Sequence, residues 1–278
     1  MAWSSFLLNL PLALFSAMLW LLIAFVVGRI VGRHAVIDVF WGSGFLVVYL
    51  ESLYSAHLMS SNSASPWLHE GTASSARVVV LVLVAIWSLR LSGYLALRQR
   101  GAGEDPRYTQ ILRGAKGKNE TLYALKMIYG FQMVLLFLIS MPLQFVAFSR
   151  QSFLPLVVVG AVLICLGVAF ESVADFQLRK FLANPANRGT TLQSGLWATT
   201  RHPNYFGDAV VWWGIFAIAA SSGWGALSIA SPLAMTFLLT SVSGKPLLEA
   251  KLKKTREGYE EYVATTSGFF PRVPKRNR

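Results

Sequence analysis

The sequence predicts an all-α polytopic membrane protein, a bundle of seven transmembrane helices forming one integral domain over residues 1–278, with the N-terminus outside and the C-terminus cytoplasmic. Three observations predict it. Hydrophobic residues make up 54% of the chain and charged residues 14%, whereas a soluble domain carries about a quarter charged residues. Seven apolar stretches approach the roughly 20 residues that a bilayer core asks of a helix. Of the 25 Lys and Arg residues, all but Arg77, Arg90 and Arg150 fall in alternate connections or in the C-terminal tail, which the positive-inside rule assigns to the cytoplasm.

The first stretch, 6–27, follows "MAWSSFLLNLP", which has no basic residue and no clear small-residue cleavage site, so it reads as a retained helix rather than a signal peptide. The second, 36–54, carries Asp38 and Trp41 one turn apart at its cytoplasmic start and Glu51 near its outer end. The Ser-rich connection 55–75 reads as a mobile outer loop. The third and fourth stretches, 77–97 and 127–148, flank a basic connection, and the fifth, 153–174, holds Cys165, a packing residue with no partner for a disulfide. The sixth and seventh, 205–222 and 224–243, are joined by "SSGWG", too short to do more than link an antiparallel pair, and residues 244–278 form a cytoplasmic tail. The net charge of +12 reads as topology and attraction to anionic membrane lipid; nucleic acid is not expected, because no reader motif accompanies it. No obligate protein partner is inferred.

Ionisable side chains at membrane depth are costly and persist when paired, solvated or functional. In "AIWSLRLSGYLALRQR", Trp87, Arg90, Tyr94 and Arg98 recur at three- and four-residue steps and share one helical face. Arg98 could simply snorkel; Arg90 lies about two turns deeper and calls for a partner or an anionic ligand. In "FESVADFQLRK", Glu171, Asp175 and Arg179 stand at successive i, i+4 positions, either a local ion-pair ladder or a set that holds a bound molecule. Asp38 could pair with Arg33 or His34, or it could act chemically. His34, His57 and His69 read as interfacial residues, and no His-x-x-x-His or Glu-x-x-His spacing exists to build a metal site on a helix.

"RHPNYFGD", residues 201–208, opens the sixth stretch. Pro203 fits the first turn of a helix, whose N-terminus favours negative charge. Arg201 adds to that field, and Asn204 and Asp208, four apart, offer an amide and a carboxylate on one face. A capped helix with Arg201 against lipid headgroups would look the same.

This motif resembles the signature that membrane-embedded sterol reductases carry before a late helix, and residues 165–275 are similar to the C-terminal domain of the steroid 5-alpha-reductase superfamily. "IDVFWG" and "LRLSGYLALRQRGAGEDPRY" look like its bacterial branch, which implies a bacterial inner-membrane enzyme with its active site open to the cytoplasm. The resemblance implies a seven-helix bundle that takes NADPH from the cytoplasmic side and a lipid-like enone from the membrane side. Asn204 and Asp208 would then fix the nicotinamide, with Tyr205 nearby. Arg201 and His202 would approach phosphate or ribose, Asp175 and Arg179 would be acidic and basic cofactor contacts, and Tyr259 and Tyr262 would belong to a tail that closes over the nucleotide. Arg90 and Arg98 join the cofactor set, because no Gly-x-Gly-x-x-Gly follows a strand and side chains must meet the phosphates.

The implied reaction is hydride transfer to a conjugated C=C bond, with an acid near the carbonyl oxygen. Asp38 aligns with the carboxylic acid of the steroid-reducing relatives. Their tyrosine on the third helix is replaced by Trp87, which has no phenolic proton; Tyr94 or Tyr129 could substitute, or water could, or the substrate could differ from a 3-oxo steroid. The rival reading is an S-adenosylmethionine-dependent methyltransferase acting on a lipid or prenyl-cysteine, since those enzymes share the Arg-His-Pro mouth.

Overall fold

The computed structural model describes residues 3–60, 71–242 and 245–273. Residues 61–70 of the Ser-rich connection, His69 among them, and residues 274–278 of the tail lie outside the described residues. All regular structure among the described residues is helical, and the chain forms two compact units, residues 1–158 with 217–231 and residues 159–216 with 232–278.

The first unit begins with α1 (Trp3–Val31), α2 (Val36–Ser60) and α3 (Gly71–Arg98). On α1 the buried residues Phe6, Asn9, Ala13, Ala17, Leu21, Ala24 and Gly28 recur every three or four positions, and their small side chains let a neighbouring helix come close. Leu8, Leu12, Phe15, Leu19 and Ile23 on the other faces stay exposed, as expected of a helix apolar all round that meets lipid. Trp20 Nε1 donates to the carbonyl of Phe40 on α2 at 3.0 Å. On α3 the buried row is Ala73, Ala76, Val80, Val84 and Trp87.

Two short helices follow in the basic connection, α4 (Pro106–Leu112) and α5 (Glu120–Ala124), and then a π-helical turn, α6 (Phe131–Ile139) and α7 (Met141–Phe148). The expected fourth span, 127–148, is therefore corrected. The apolar helix runs over Glu120–Ile139 and breaks at Ser140, because Pro142 lacks an N–H and its ring obstructs a continuous helix. The break is held by polar groups: Asn9 Nδ2 donates to Ser52 Oγ at 3.2 Å and Gln144 Oε1 at 3.4 Å, and Gln144 Nε2 donates to Ser140 Oγ at 3.0 Å. Arg77, 4% exposed, donates to the carbonyls of Ala147 and Ser149 at the end of α7, where helix carbonyls lack intrahelical donors.

The second unit holds most of α8 (Leu154–Ala183) and α9 (Pro203–Ala220), with α10 (Ala230–Phe237), α11 (Lys245–Thr255) and α12 (Tyr259–Thr265). In it α8 and α9 run antiparallel at backbone contact. A Cβ on Gly167 would lie 2.6 Å from the Gly207 carbonyl oxygen, and one on Gly214 would lie 2.7 Å from that of Gly160. α8 extends past the expected end at 174 to Ala183.

Among the described residues six helices, not seven, are long and apolar enough to cross a membrane. α9 is the one that falls away. It has 18 residues, and its opening "PNYFGD" is polar. The last crossing candidate, Trp224–Val242, is a 3₁₀ turn, α10 and a π-helical turn in series.

Candidate active site

Among the described residues, each unit holds a cluster of charged and polar side chains around one of the sites that the sequence points to. In the first, the α1–α2 turn is latched to the segment after α3. Arg33 Nη1 donates to the carbonyls of Gln99 at 2.7 Å and Ala102 at 2.5 Å, and Gln99 Nε2 donates to the carbonyl of Ala35 at 2.9 Å. Glu104 accepts from His34 N at 2.5 Å and Ala35 N at 2.9 Å, two donors at the start of α2 that the helix itself cannot satisfy.

This latch delivers α4. Asp105 caps it, accepting from Arg107 N at 2.8 Å, and Pro106 occupies its first turn. Arg107 Nη2 then donates to Asp38 Oδ2 at 2.7 Å, and the Tyr108 hydroxyl donates to Asp38 Oδ1 at 2.5 Å. Gln132 Nε2 on α6 donates to the same hydroxyl at 3.4 Å. Tyr108 is 4% exposed; its burial and the Asp38 carboxylate push the phenol well above its usual pKa, against the pull of Arg107. Burial lowers the Arg107 pKa, but Asp38 and Asp105 outweigh it and hold the guanidinium firmly protonated.

Asp38 thus pairs with neither Arg33 nor His34. Arg33 is drawn away by the Gln99 and Ala102 carbonyls, and His34 Nδ1 shares a hydrogen bond with Tyr129 at 3.1 Å. Burial lowers the His34 pKa, opposed by Glu104. Trp87 is buried with its ring 6.0 Å from Phe45, which also meets Trp41 at 5.4 Å. Tyr94 is half-buried beneath the Arg98 guanidinium, 5.9 Å from its ring, while Arg90 is half-buried and Arg98 exposed. The residues that meet Asp38 come from α4, a helix that the sequence reading did not predict. "EDPRY" carries the signal, an Asp cap followed by Pro at a helix start.

The second cluster surrounds the mouth of α9. Arg201 is 8% exposed and donates to Glu249 Oε1 at 2.8 Å and to the carbonyls of Val263 at 3.0 Å and Thr266 at 2.5 Å. His202 Nε2 donates to the same Glu249 oxygen at 3.0 Å, and its ring stacks on Tyr205 at 5.4 Å. Burial alone would raise the Glu249 pKa, but the hydrogen bonds from His202 and Arg201 bring it down to about 2. Glu249 was not foreseen, since nothing in the sequence ties α11 to residue 201.

Backbone bonds complete the strap: Arg201 N to the Ser267 carbonyl at 2.9 Å and Arg272 N to the Thr199 carbonyl at 3.0 Å. Tyr259 and Tyr262 are buried, their rings 5.9 Å apart, and the Tyr262 hydroxyl donates to the carbonyl of Trp197 at 2.5 Å. Burial and Glu249 push Tyr259 up to about 12, with Arg201 opposing. Asn204 Nδ2 donates to Asp175 Oδ1 at 3.4 Å, so the amide and a buried carboxylate do meet. Asp208 is half-buried one turn on, and Arg179 is exposed. Beside the strap lies a cavity of about 80 Å³, lined by Arg256, Thr190, Thr191, Trp197 and Tyr259 among others.

No curated protein and no solved structure matches the chain. The model of a family described as "Protein of unknown function (DUF1295)" matches residues 24–266. That span takes in both clusters except the strap residues Ser267 and Arg272, and the chain belongs to the DUF1295 family of membrane proteins, which is broadly related to the superfamily of steroid 5-alpha-reductases and isoprenylcysteine methyltransferases.

Proposed function

We propose that the chain is a membrane-embedded reductase that transfers hydride from NADPH to the conjugated C=C bond of a steroid-like or other lipid enone. The observation that carries this reading is Asp38 at the start of an apolar helix, meeting a guanidinium at 2.7 Å and a phenol at 2.5 Å. A hydrogen-bonded set of this kind, with its phenol buried, suits an enone whose carbonyl oxygen gains charge as its double bond is reduced. Trp41, one turn after Asp38 on α2, meets the Phe45 ring at 5.4 Å.

The residues of the second unit fit parts of a dinucleotide. The Asn204 amide and the Asp175 carboxylate offer a donor and an acceptor to a carboxamide. Arg256 offers charge to a phosphate in a cavity of about 80 Å³, a corner rather than a full site, since ligand pockets span roughly 300 to 1,000 Å³. Arg201, which also lines that cavity, and His202 hold the tail through Glu249. When bound, the nicotinamide would supply the hydride; the chain's own residues hold it, exclude water and manage the proton.

Purified protein in detergent should quench or shift NADPH fluorescence and oxidise NADPH when offered lipid enones. Failure to bind NADPH, together with saturable binding of S-adenosylmethionine, would overturn the reading in favour of the methyltransferase.

A further inference from the structure

A hollow of about 490 Å³ lies in the connection between α4 and α5, within the first unit, and its lining includes Leu112, Arg113, Lys116, Gly117, Lys118 and Glu120. None of these belongs to the Asp38 cluster, and the volume falls in the range of ligand pockets, roughly 300 to 1,000 Å³. A 3₁₀ turn over Arg113–Ala115 starts it, Lys118 N donates to the Ala115 carbonyl at 2.8 Å, and Gly117 takes a φ of 77° that a residue with a Cβ rarely adopts. Tyr123 on α5 pins the turn: a Cβ on Gly114 would collide with its hydroxyl, and the Lys118 ammonium lies 5.3 Å from its ring centroid. Asn119 Oδ1 caps α5 by accepting from Leu122 N at 3.0 Å. Arg113, Lys116 and Lys118 are exposed, and among the described residues none of the three is in an ion pair. Glu120 is the carboxylate in the lining, so positive charge exceeds negative by two, and a concave surface of one sign concentrates the opposite one.

The helix that leaves the hollow narrows the choice of anion. Glu120 opens the crossing candidate Glu120–Ile139, which sets the hollow at the end of a span, the depth of the lipid headgroups. From there Leu122 is 66% exposed and Phe131 59%, with Met127 and Val134 also exposed, an apolar surface suited to acyl chains. The geometry points to a binding site for an anionic phospholipid, its phosphate held among Arg113, Lys116 and Lys118 and its chains lying along Leu122, Met127 and Phe131. The guanidinium offers a planar fork to two phosphate oxygens, and the two ammonium groups add point charges. A zwitterionic lipid brings an ammonium of its own, which the three cations oppose. This site is independent of the reaction proposed above.

The test uses the full chain in mild detergent, with dioleoylphosphatidylglycerol and dioleoylphosphatidylcholine as probes and native mass spectrometry to count adducts. The wild type should bind phosphatidylglycerol saturably and prefer it roughly tenfold or more over phosphatidylcholine. Arg113→Gln combined with Lys116→Gln should weaken that binding roughly thirtyfold, the size expected for two cations beside an anionic headgroup. Lys253→Gln combined with Lys254→Gln removes two exposed charges from α11 and should leave it unchanged. Glu120→Gln removes the opposing carboxylate and should tighten binding roughly fivefold, a gain that a damaged fold would not produce. Glycerol 3-phosphate at the same concentration, a headgroup without chains, should leave the lipid adduct in place. Equal affinity for the two lipids, equal losses in the two double variants, or no tightening in Glu120→Gln would overturn the assignment. Displacement by glycerol 3-phosphate would overturn it as well, by making the occupant a soluble phosphate.

Discussion

Arg201 and Glu249 are 48 residues apart in the chain and 2.8 Å apart in the structure, with His202 on the same carboxylate oxygen. The pair ties the mouth of α9 to α11, and the Arg201 bonds to Val263 and Thr266 extend the tie along α12.

Glu249→Ala leaves a buried guanidinium without its carboxylate, and a lost charge-assisted hydrogen bond of this kind costs about 2 kcal/mol. The thermal midpoint in detergent should fall, and limited proteolysis should begin within the tail. Glu249→Gln keeps one acceptor for Arg201 and should show a smaller loss. An unaltered midpoint in the alanine variant would mean that the tie contributes nothing.

The same carboxylate sets an acid limit. Its folded-state pKa is held at about 2, below the usual 4.5, so the unfolded chain takes up the proton first as pH falls. The contribution of Glu249 is complete above pH 4.5 and is lost as pH drops from there towards about 2. Protease protection of the tail, followed across that window, should decline in the wild type and be flatter in Glu249→Gln.

The contact between α8 and α9 depends on absent side chains. Gly207→Ala sets a methyl 2.7 Å from the Gly167 carbonyl oxygen and from the Glu171 backbone nitrogen, which must push the helices apart at about 1–3 kcal/mol. Gly93→Ala, on a helix where the added carbon meets nothing within 4 Å, is the control. Equal melting temperatures for the two variants would contradict the close crossing.

Asn204→Ala removes the amide that meets Asp175. It should weaken NADPH binding about tenfold, or about 1.4 kcal/mol, as read by nicotinamide fluorescence. An unchanged affinity would remove Asn204 from the cofactor set.

The spans were legible where composition alone decides. α1, α2 and α3 cover the runs expected of them, but α2 continues to Ser60 and α3 begins at Gly71, so the outer connection expected over 55–75 is helical at both of its ends. The fourth was misread because Pro142 sits inside an unbroken apolar run, so hydropathy concealed the stop at Ser140. α9 reads as a span only if its apolar half is weighed without "PNYFGD". Asp38 was legible as a costly charge near a helix mouth, and Asn204 as an amide at a helix start. Their partners were not: Tyr108 is 70 residues from Asp38 and Asp175 is 29 from Asn204, distances at which one sequence carries no pairing signal. Arg201 was legible as a charge at the helix mouth, but its acceptors, a distant carboxylate and main-chain carbonyls, were not.

The Glu104 bonds to His34 N and Ala35 N bear on biogenesis. The carboxylate that finishes the α2 N-terminus is made 70 residues after the first amide it serves, when α3 has already been synthesised. Until it emerges from the ribosome those amides depend on water, which obliges the α1–α2 elbow to wait at the membrane surface, hydrated, for a later segment to seal it.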